Sequence, residues 1–210
     1  GDAIIAFWGA PLELPNHATV ACHAAIDMQK KNEEMRKMLR EQNRPMLYTR
    51  MGMSSGPVVV GNMGSADRMD YTMMGDVVNL AARLEGVNKF YQTFTMISQS
   101  TYELAKDDID TRQLDVIRVV GKKEPISVYE VLERKNQTSS EKSGVVEKYL
   151  KALKLYEERN FADASKEFEK VLAIDPDDGP SQTYVKRCGV FLETPPEKDW
   201  DGVYTFTEKG

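Results

Sequence analysis

Arg50-Met51-Gly52-Met53-Ser54-Ser55-Gly56, Val58-Val59-Val60-Gly61-Asn62-Met63-Gly64 and Arg68-Met69-Asp70-Tyr71-Thr72-Met73-Met74-Gly75-Asp76-Val77-Val78-Asn79-Leu80-Ala81-Ala82-Arg83-Leu84-Glu85 decide how the chain folds. Residues 47–53 and 57–61 read as strands, and Ser54-Ser55-Gly56 between them reads as a hairpin turn. Residues 70–74 are a further extended stretch. Residues 77–87 have helical character, with Asp76 placed to cap them. Asn79 and Arg83 stand four apart, so on a helix they project from one face. Gly61, Gly64 and Gly75 permit sharp turns and the close approach of a ligand. An Arg and an Asn near a helix start suit a phosphate and a sugar. Spacing alone favours a solvated Arg and a capping Asn, since helix-face Arg residues are common.

Strands and helices alternate on both sides of this stretch. Residues 3–8 are a short apolar strand ending at Gly9 and Pro11. Residues 18–42 read as one long helix, because Val20, Ala24, Met28, Met35 and Met38 recur at near-helical spacing, with Asn16 as its cap. After the quoted stretch come a strand at 94–97, a helix through Leu104 capped by Ser98 or Ser100, and strands at 115–120 and 126–132 around Gly121-Lys122-Lys123-Glu124-Pro125. Mixed elements of this kind predict an α+β sandwich rather than a regular βαβ series.

The composition changes after residue 135. All 11 methionines lie at or before Met96, and most of the acidity lies in the later part. Residues 136–144 are polar and aperiodic, and read as a linker. Helices follow at 145–158, 161–174 and 179–190, with Asn160 between the first two and Asp175-Pro176 ending the second. Residues 193–210 carry Pro195-Pro196 and aromatic side chains without a period, and read as an extended tail whose aromatics need a surface to cover them.

The chain has 210 residues and a net charge of −5, from 28 Lys and Arg against 33 Asp and Glu. At 41% hydrophobic and 29% charged it can bury a core, which excludes wholesale disorder. The acidic balance argues against a nucleic-acid partner, because phosphate affinity needs surplus Lys and Arg. No apolar run is long enough to span a bilayer, so no membrane contact is expected in this segment. Cys22 and Cys188 cannot form a disulfide framework and fit a reducing compartment. His17 and His23 are six apart, which does not put them on one helix face as a metal pair.

The quoted motifs resemble the core signature of class III nucleotide cyclases. Residues 50–64 match R-x-G-x-x-x-G-x-V-x-x-G-x-x-G, and residues 68–83 match R-x-x-Y-x-x-x-G-x-x-V-N-x-A-x-R. Gly1-Asp2-Ala3-Ile4-Ile5-Ala6-Phe7-Trp8-Gly9 matches the family's G-D-x-x-x-A-x-F/W-G segment. Gly121-Lys122-Lys123-Glu124-Pro125 with Val128-Tyr129-Glu130 matches its closing segment. The resemblance covers residues 1 to about 133 and implies a ferredoxin-like cyclase sandwich. It also implies that the ribose 3′-hydroxyl of a nucleoside triphosphate attacks the α-phosphorus while pyrophosphate leaves.

By the same resemblance, Asp2 holds metal, and two Mg²⁺ or Mn²⁺ ions serve as cofactors. Asn79 orients the ribose, and Arg83 stabilises charge on the transferring phosphate. Thr72 falls at the purine-reading position, where its hydroxyl can accept a hydrogen bond from the adenine amino group, so ATP is the expected substrate. Lys122 stands where terminal phosphates would be contacted, although Val120 precedes Gly121 where many relatives carry a further Lys. The family's first metal Asp and its purine-reading Lys would precede Asp2, so the resemblance implies a cyclase domain cut at its N-terminal side. It further implies a homodimer through this domain, with metal residues from one subunit and the Asn79 and Arg83 positions from the other. Localisation is expected to be cytoplasmic, with any anchor to a membrane upstream.

Residues 145–178 resemble a single tetratricopeptide repeat, with Ala152, Phe161, Ala164, Phe168, Val171 and Pro176 at its small, aromatic and terminating positions. Lys148 and Arg159 depart from that pattern. One repeat cannot bury a solenoid core, so it is expected to dock on the cyclase domain, on a second subunit or on a protein partner. The expected division is therefore a partial cyclase domain at 1–135, a linker at 136–144, helices of tetratricopeptide type at 145–192 and a tail at 193–210. The leading reading is an adenylate cyclase. The alternative is a catalytically inactive cyclase-like scaffold that binds proteins through its helical repeat.

Overall fold

The computed structural model describes residues 3–65, 68–121 and 124–206. Five strands form one mixed sheet. In chain order they begin with β1 (Met51–Met53), and β2 (Val59–Ser65) with β3 (Arg68–Met74) form a separate antiparallel ribbon. β4 (Thr95–Ser98), β5 (Ile109–Arg118), β6 (Ile126–Arg134) and β7 (Tyr204–Thr205) complete the sheet, in the spatial order β1-β4-β6-β5-β7. β4–β6 and β6–β5 pair antiparallel, while the two edge strands β1 and β7 pair parallel with β4 and β5.

Strand alternation sends side chains to two helical layers. On one face, Ile97 and Val131 meet α1 (His17–Glu41) and α3 (Gln99–Ala105) through Ala18, Cys22, Ile26 and Ala105. On the other, Met96, Val128, Leu114 and Ile117 meet α2 (Asp76–Tyr91), α4 (Ser140–Glu157) and α6 (Gly179–Glu193). α5 (Phe161–Leu172) packs outside α4 and α6. The architecture is the α+β arrangement expected of the sequence.

Several expectations change. Residues 3–8 form no strand among the described residues; Ile4 is 97% exposed, and an apolar run without a pairing partner is not a strand. The hairpin is β2–β3, not a turn at Ser54-Ser55-Gly56, because β1 pairs with β4 instead. β5 begins at Ile109, six residues before Asp115, where polar side chains mask its alternation. The buried stripe of α1 is Ala18, Ala21, Cys22, Ala25 and Ile26, while Met28 and Met38 stay exposed. Asn16 stands at the N-cap of α1 without a side-chain cap bond, and Gly75, not Asp76, stands at the N-cap of α2.

The stretch from 136 to 144 is not all linker. α4 starts at Ser140, capped by Ser139, whose hydroxyl accepts from the Lys142 N–H at 3.2 Å. The tail is also built in. Tyr204 and Thr205 pair with Ile117 and Arg118, and Trp200, Tyr204 and Phe206 pack on the core shared by the sheet and the C-terminal helices.

Candidate functional site

Helix α2 can carry a site because it lies directly on a strand. A Cβ on Gly52 of β1 would stand 2.1 Å from the Ala81 carbonyl oxygen and 2.2 Å from the Glu85 nitrogen, so only glycine lets the helix backbone come this close. A Cβ on Gly56 would meet the Val77 side chain at 2.7 Å. Buried Asn88 locks the contact: its amide donates to the Met51 carbonyl and to the Leu84 carbonyl, both at 2.9 Å. The Thr93 hydroxyl donates in turn to Asn88 Oδ1 at 2.9 Å. Arg50 Nε donates to Glu85 Oε1 at 3.1 Å across the same seam.

Asn79 is exposed and Arg83 half-buried on one face of this anchored helix. The Arg83 guanidinium reaches the β5–β6 turn. Its Nη2 lies 3.3 Å from where a Cβ on Gly121 would stand, and Gly121 has φ +78°. The backbone conformation there calls for glycine. Thr72 lies in β3, half-buried and opposite Gly61 of β2, on the ribbon that leads into α2. Asp2 and Lys122 lie outside the described residues. The structure therefore joins Asn79 and Arg83 on one helix face and sets Arg83 against the Gly121 turn, while Thr72 stands on a separate ribbon.

Among the described residues there is no group of three or more His, Cys, Asp or Glu that could hold a metal ion. The histidines are structural. His17 Nδ1 meets the Leu14 carbonyl and His23 Nε2 the Asp108 carbonyl, each at 3.2 Å. Burial pushes the Cys22 thiol up to about 12 and the Cys188 thiol up to about 11, so neither is a nucleophile near neutral pH.

Sequence reading missed a second constellation, which lies between the sheet and the C-terminal helices. Arg187 of α6 donates to Asp115 of β5 at 2.5 Å and to the Tyr91 hydroxyl of α2 at 2.9 Å, and that hydroxyl donates to the same Asp115 oxygen. Arg112, 1% exposed, binds Glu130 and Asp178, each at 2.6 Å. Lys142 of α4 adds a contact of 3.3 Å to Asp178. The one available signal is that Arg187 sits between Tyr184 and Cys188 on the apolar stripe of its helix, where a cation needs buried partners.

No described helix is long and apolar enough to cross a membrane. The family described as "Adenylate and Guanylate cyclase catalytic domain" matches residues 1–133. Adenylate cyclase 1 of Rhizobium meliloti is 36% identical over 132 residues, 63% of this chain and 20% of that protein. The terminal-differentiation-specific adenylate cyclase of Dictyostelium discoideum is 32% identical over 193 residues, 90% of this chain and 9% of that protein. The chain thus spans only a small part of these relatives. Among solved structures, the adenylyl cyclase CyaB from P. aeruginosa aligns with a TM-score of 0.55 and 34% identity, over 63% of this chain and 68% of that one. The guanylyl cyclase Cya2 aligns with a TM-score of 0.53 and 29% identity, over 61% and 64%. The anchored helix with its Asn79–Arg83 face lies inside the matched segment, and the chain belongs, through residues 1–133, to the adenylate and guanylate cyclase catalytic domain family.

Proposed function

We propose that the protein containing this chain is an adenylate cyclase that converts ATP to cyclic AMP and pyrophosphate. The observation that carries this reading is the Asn79–Arg83 face of α2, held on β1 through Gly52 with the Arg83 guanidinium against the Gly121 turn. Asn79 bonds the ribose and orients its 3′-hydroxyl toward the α-phosphorus. Arg83 neutralises charge that grows on the phosphate oxygens as the bond to pyrophosphate breaks. Both act by position and charge, which supply most of the catalysis in phosphoryl transfer. Thr72 accepts from the adenine amino group and favours ATP over GTP. Lys122 contacts the terminal phosphates.

Cyclase domains of this family are metal-dependent. We assign Asp2 as a ligand of one of two Mg²⁺ or Mn²⁺ ions on its motif position alone, and route no step through them. The site is completed in a homodimer, with Asp2 from one chain and Asn79 and Arg83 from the other. The exposed apolar side chains of the ribbon, Val59, Met69, Tyr71 and Met74, support pairing through the cyclase domain. An ATP substrate and two free buried thiols suit the cytoplasm.

We read α4 and α5 as a hairpin of tetratricopeptide type, supported by the burial of Ala152, Phe161, Ala164, Phe168 and Val171 between helices. Because α5 turns its apolar face to α4 and α6, a protein partner would meet its charged outer face, where Lys166 and Lys170 pair with Asp163 and Glu167.

The test is cyclisation of labelled ATP, with GTP as competitor, by the full-length protein. Asn79→Ala and Arg83→Ala should each lower kcat at least about a hundredfold, the scale of a lost transition-state donor. Their melting temperatures should stay near the parent's, since neither side chain is buried in the core. Undiminished turnover in either variant would sink the site assignment. Mixing inactive Asp2→Ala and Arg83→Ala proteins should restore about a quarter of parental activity, because half the dimers are mixed and each regains one of two sites. No restoration would place all these residues in one subunit.

A further inference from the structure

We propose that the C-terminal segment, residues 139–206, is a positioning device for Arg83, and that Arg187 is its central residue. The inference rests on the cyclase reading above and adds residues that lie outside the matched cyclase segment.

Arg83 has two supports: helix α2, which carries it, and the Gly121 turn, which its guanidinium touches. The C-terminal segment grips both. On α2, helix α6 holds the last turn. The Thr183 hydroxyl donates to the Phe90 carbonyl at 3.1 Å, and Gln92 donates to Gln182 at 3.0 Å. A Cβ on Gly179 would stand 2.5 Å from the Tyr91 carbonyl oxygen, so the two backbones are pressed together. Arg187 and Asp115 share the Tyr91 hydroxyl, which ties this turn to β5.

On the other support, β7 pairs with Ile117 and Arg118, the last two residues of β5 before the chain runs on to Gly121. Phe206 N–H donates to the Arg118 carbonyl at 2.9 Å, and Arg118 pairs with Asp201 at 3.0 Å. Arg187 joins the two grips: its guanidinium carbon lies 3.9 Å from the Tyr204 ring centroid while its nitrogens hold Asp115 and Tyr91. A guanidinium stacks flat on a ring while its in-plane nitrogens reach two acceptors; the compact ammonium of Lys lacks that planar fork.

Tyr91 lies two turns beyond Arg83, about 12 Å along the helix. A rigid helix carries a displacement of its last turn to Arg83 with little loss. Misplacement of a transition-state group by about 1 Å can cost up to a hundredfold in rate while leaving substrate affinity almost unchanged. Arg187, Tyr91 and Asp115 touch no substrate and are positioning residues.

The test uses the full-length protein carrying Arg187→Lys or Tyr91→Phe, with kcat, KM and melting temperature measured for each. Both variants should lower kcat by about tenfold with KM within about twofold. Amide exchange should quicken over residues 76–85 and 117–121 and stay unchanged in α3. In an Arg83→Ala background Tyr91→Phe should cause no further loss, because it acts through that side chain. If either buried variant fails to fold, Asp201→Asn, which removes one of the holds on β7 at the exposed pair with Arg118, gives a milder form of the same readouts. Unchanged kcat in folded variants, or an undiminished tenfold loss in the Arg83→Ala background, would overturn the proposal and leave the segment a stabilising cover. A parent protein that binds nucleotide yet never cyclises it would instead overturn the cyclase reading itself.

Discussion

Gly52 and Gly61 look alike in sequence, both being fixed glycines of the quoted motif, yet the structure gives them opposite roles. A side chain on Gly52 would collide with backbone on two sides, and neither the Ala81 carbonyl nor the Glu85 nitrogen can move without moving α2. Gly52→Ala should therefore cost about 2–3 kcal/mol or prevent folding, as overpacking against an immobile wall does, read from urea unfolding. At Gly61 a Cβ would meet nothing within 4 Å. Gly61→Ala should leave stability within about 0.5 kcal/mol of the parent, as a change at an open site does. If nucleotide approaches the ribbon there, beside its cross-strand partner Thr72, KM should rise. The buried thiols provide a control on the fold: Cys22 and Cys188 should resist alkylation in the native protein at pH 8 and react fully in denaturant. Asn79 and Arg83 could be marked from sequence because both lie in one short motif, and helical spacing, a local relation, puts them on one face. Asp115 and Arg187 could not, since the pair is 72 residues apart and only the fold makes them neighbours.

Elements bounded by local chemistry were legible, and those bounded by pairing were not. α3 starts where Ser98 caps it, and α5 where Asn160 does, both visible as polar residues before a helical run. α6 begins at Gly179-Pro180 with Asp178 as cap, and proline at the first turn announces it. The hairpin was misplaced because Ser54-Ser55-Gly56 has turn composition, whereas its real office is to pass under Val77 and let α2 descend onto β1. β7 has two residues and no pattern, so its existence depends wholly on β5. Asp178 shows how much one cap can hold. Its carboxylate accepts from Ser181 N–H and hydroxyl, and faces Arg112 and Lys142. Burial alone would raise its pKa, but Arg112, Ser181 and Lys142 outweigh burial and hold it below the ordinary carboxylate range. A lowered folded-state pKa means that its stabilisation is complete above the unfolded value of about 4 and is lost as pH falls through the lower, folded value. Acid should then loosen α6 from β5, reported by Trp200 fluorescence. Asp178→Asn should abolish that step and lower stability at pH 7, because buried Arg112 loses one of its two carboxylates. An unchanged acid transition in that variant would assign the step to other groups.

At the scale of the whole chain, the division into a catalytic domain and a separate appendage does not describe how the core is built. One continuous apolar cluster runs from Leu84 and Val87 of α2 through Leu114 and Val128 of the sheet to Tyr149, Phe168 and Tyr184 of the C-terminal helices. Tyr149 and Tyr184 both donate to the single carbonyl of Leu114, at 2.9 and 3.0 Å, so even the backbone of β5 depends on α4 and α6 for its hydrogen bonding. Removing residues 139–210 would strip α4 and α6 from one face of the sheet and leave α2 as its remaining cover. It would also leave Asp115 without Arg187, and Arg112 and the Leu114 carbonyl short of partners, and breaking a buried charge pair by removing one member costs about 3–5 kcal/mol each. A domain of this size has about 5–15 kcal/mol in total. The truncated protein should therefore lose its cooperative thermal transition and bind a hydrophobic dye, even though every motif that marks the cyclase family is retained. A sharp melt within a few degrees of the parent would show that the sheet needs no cover beyond α2, and that the C-terminal helices are an ornament on a self-sufficient domain.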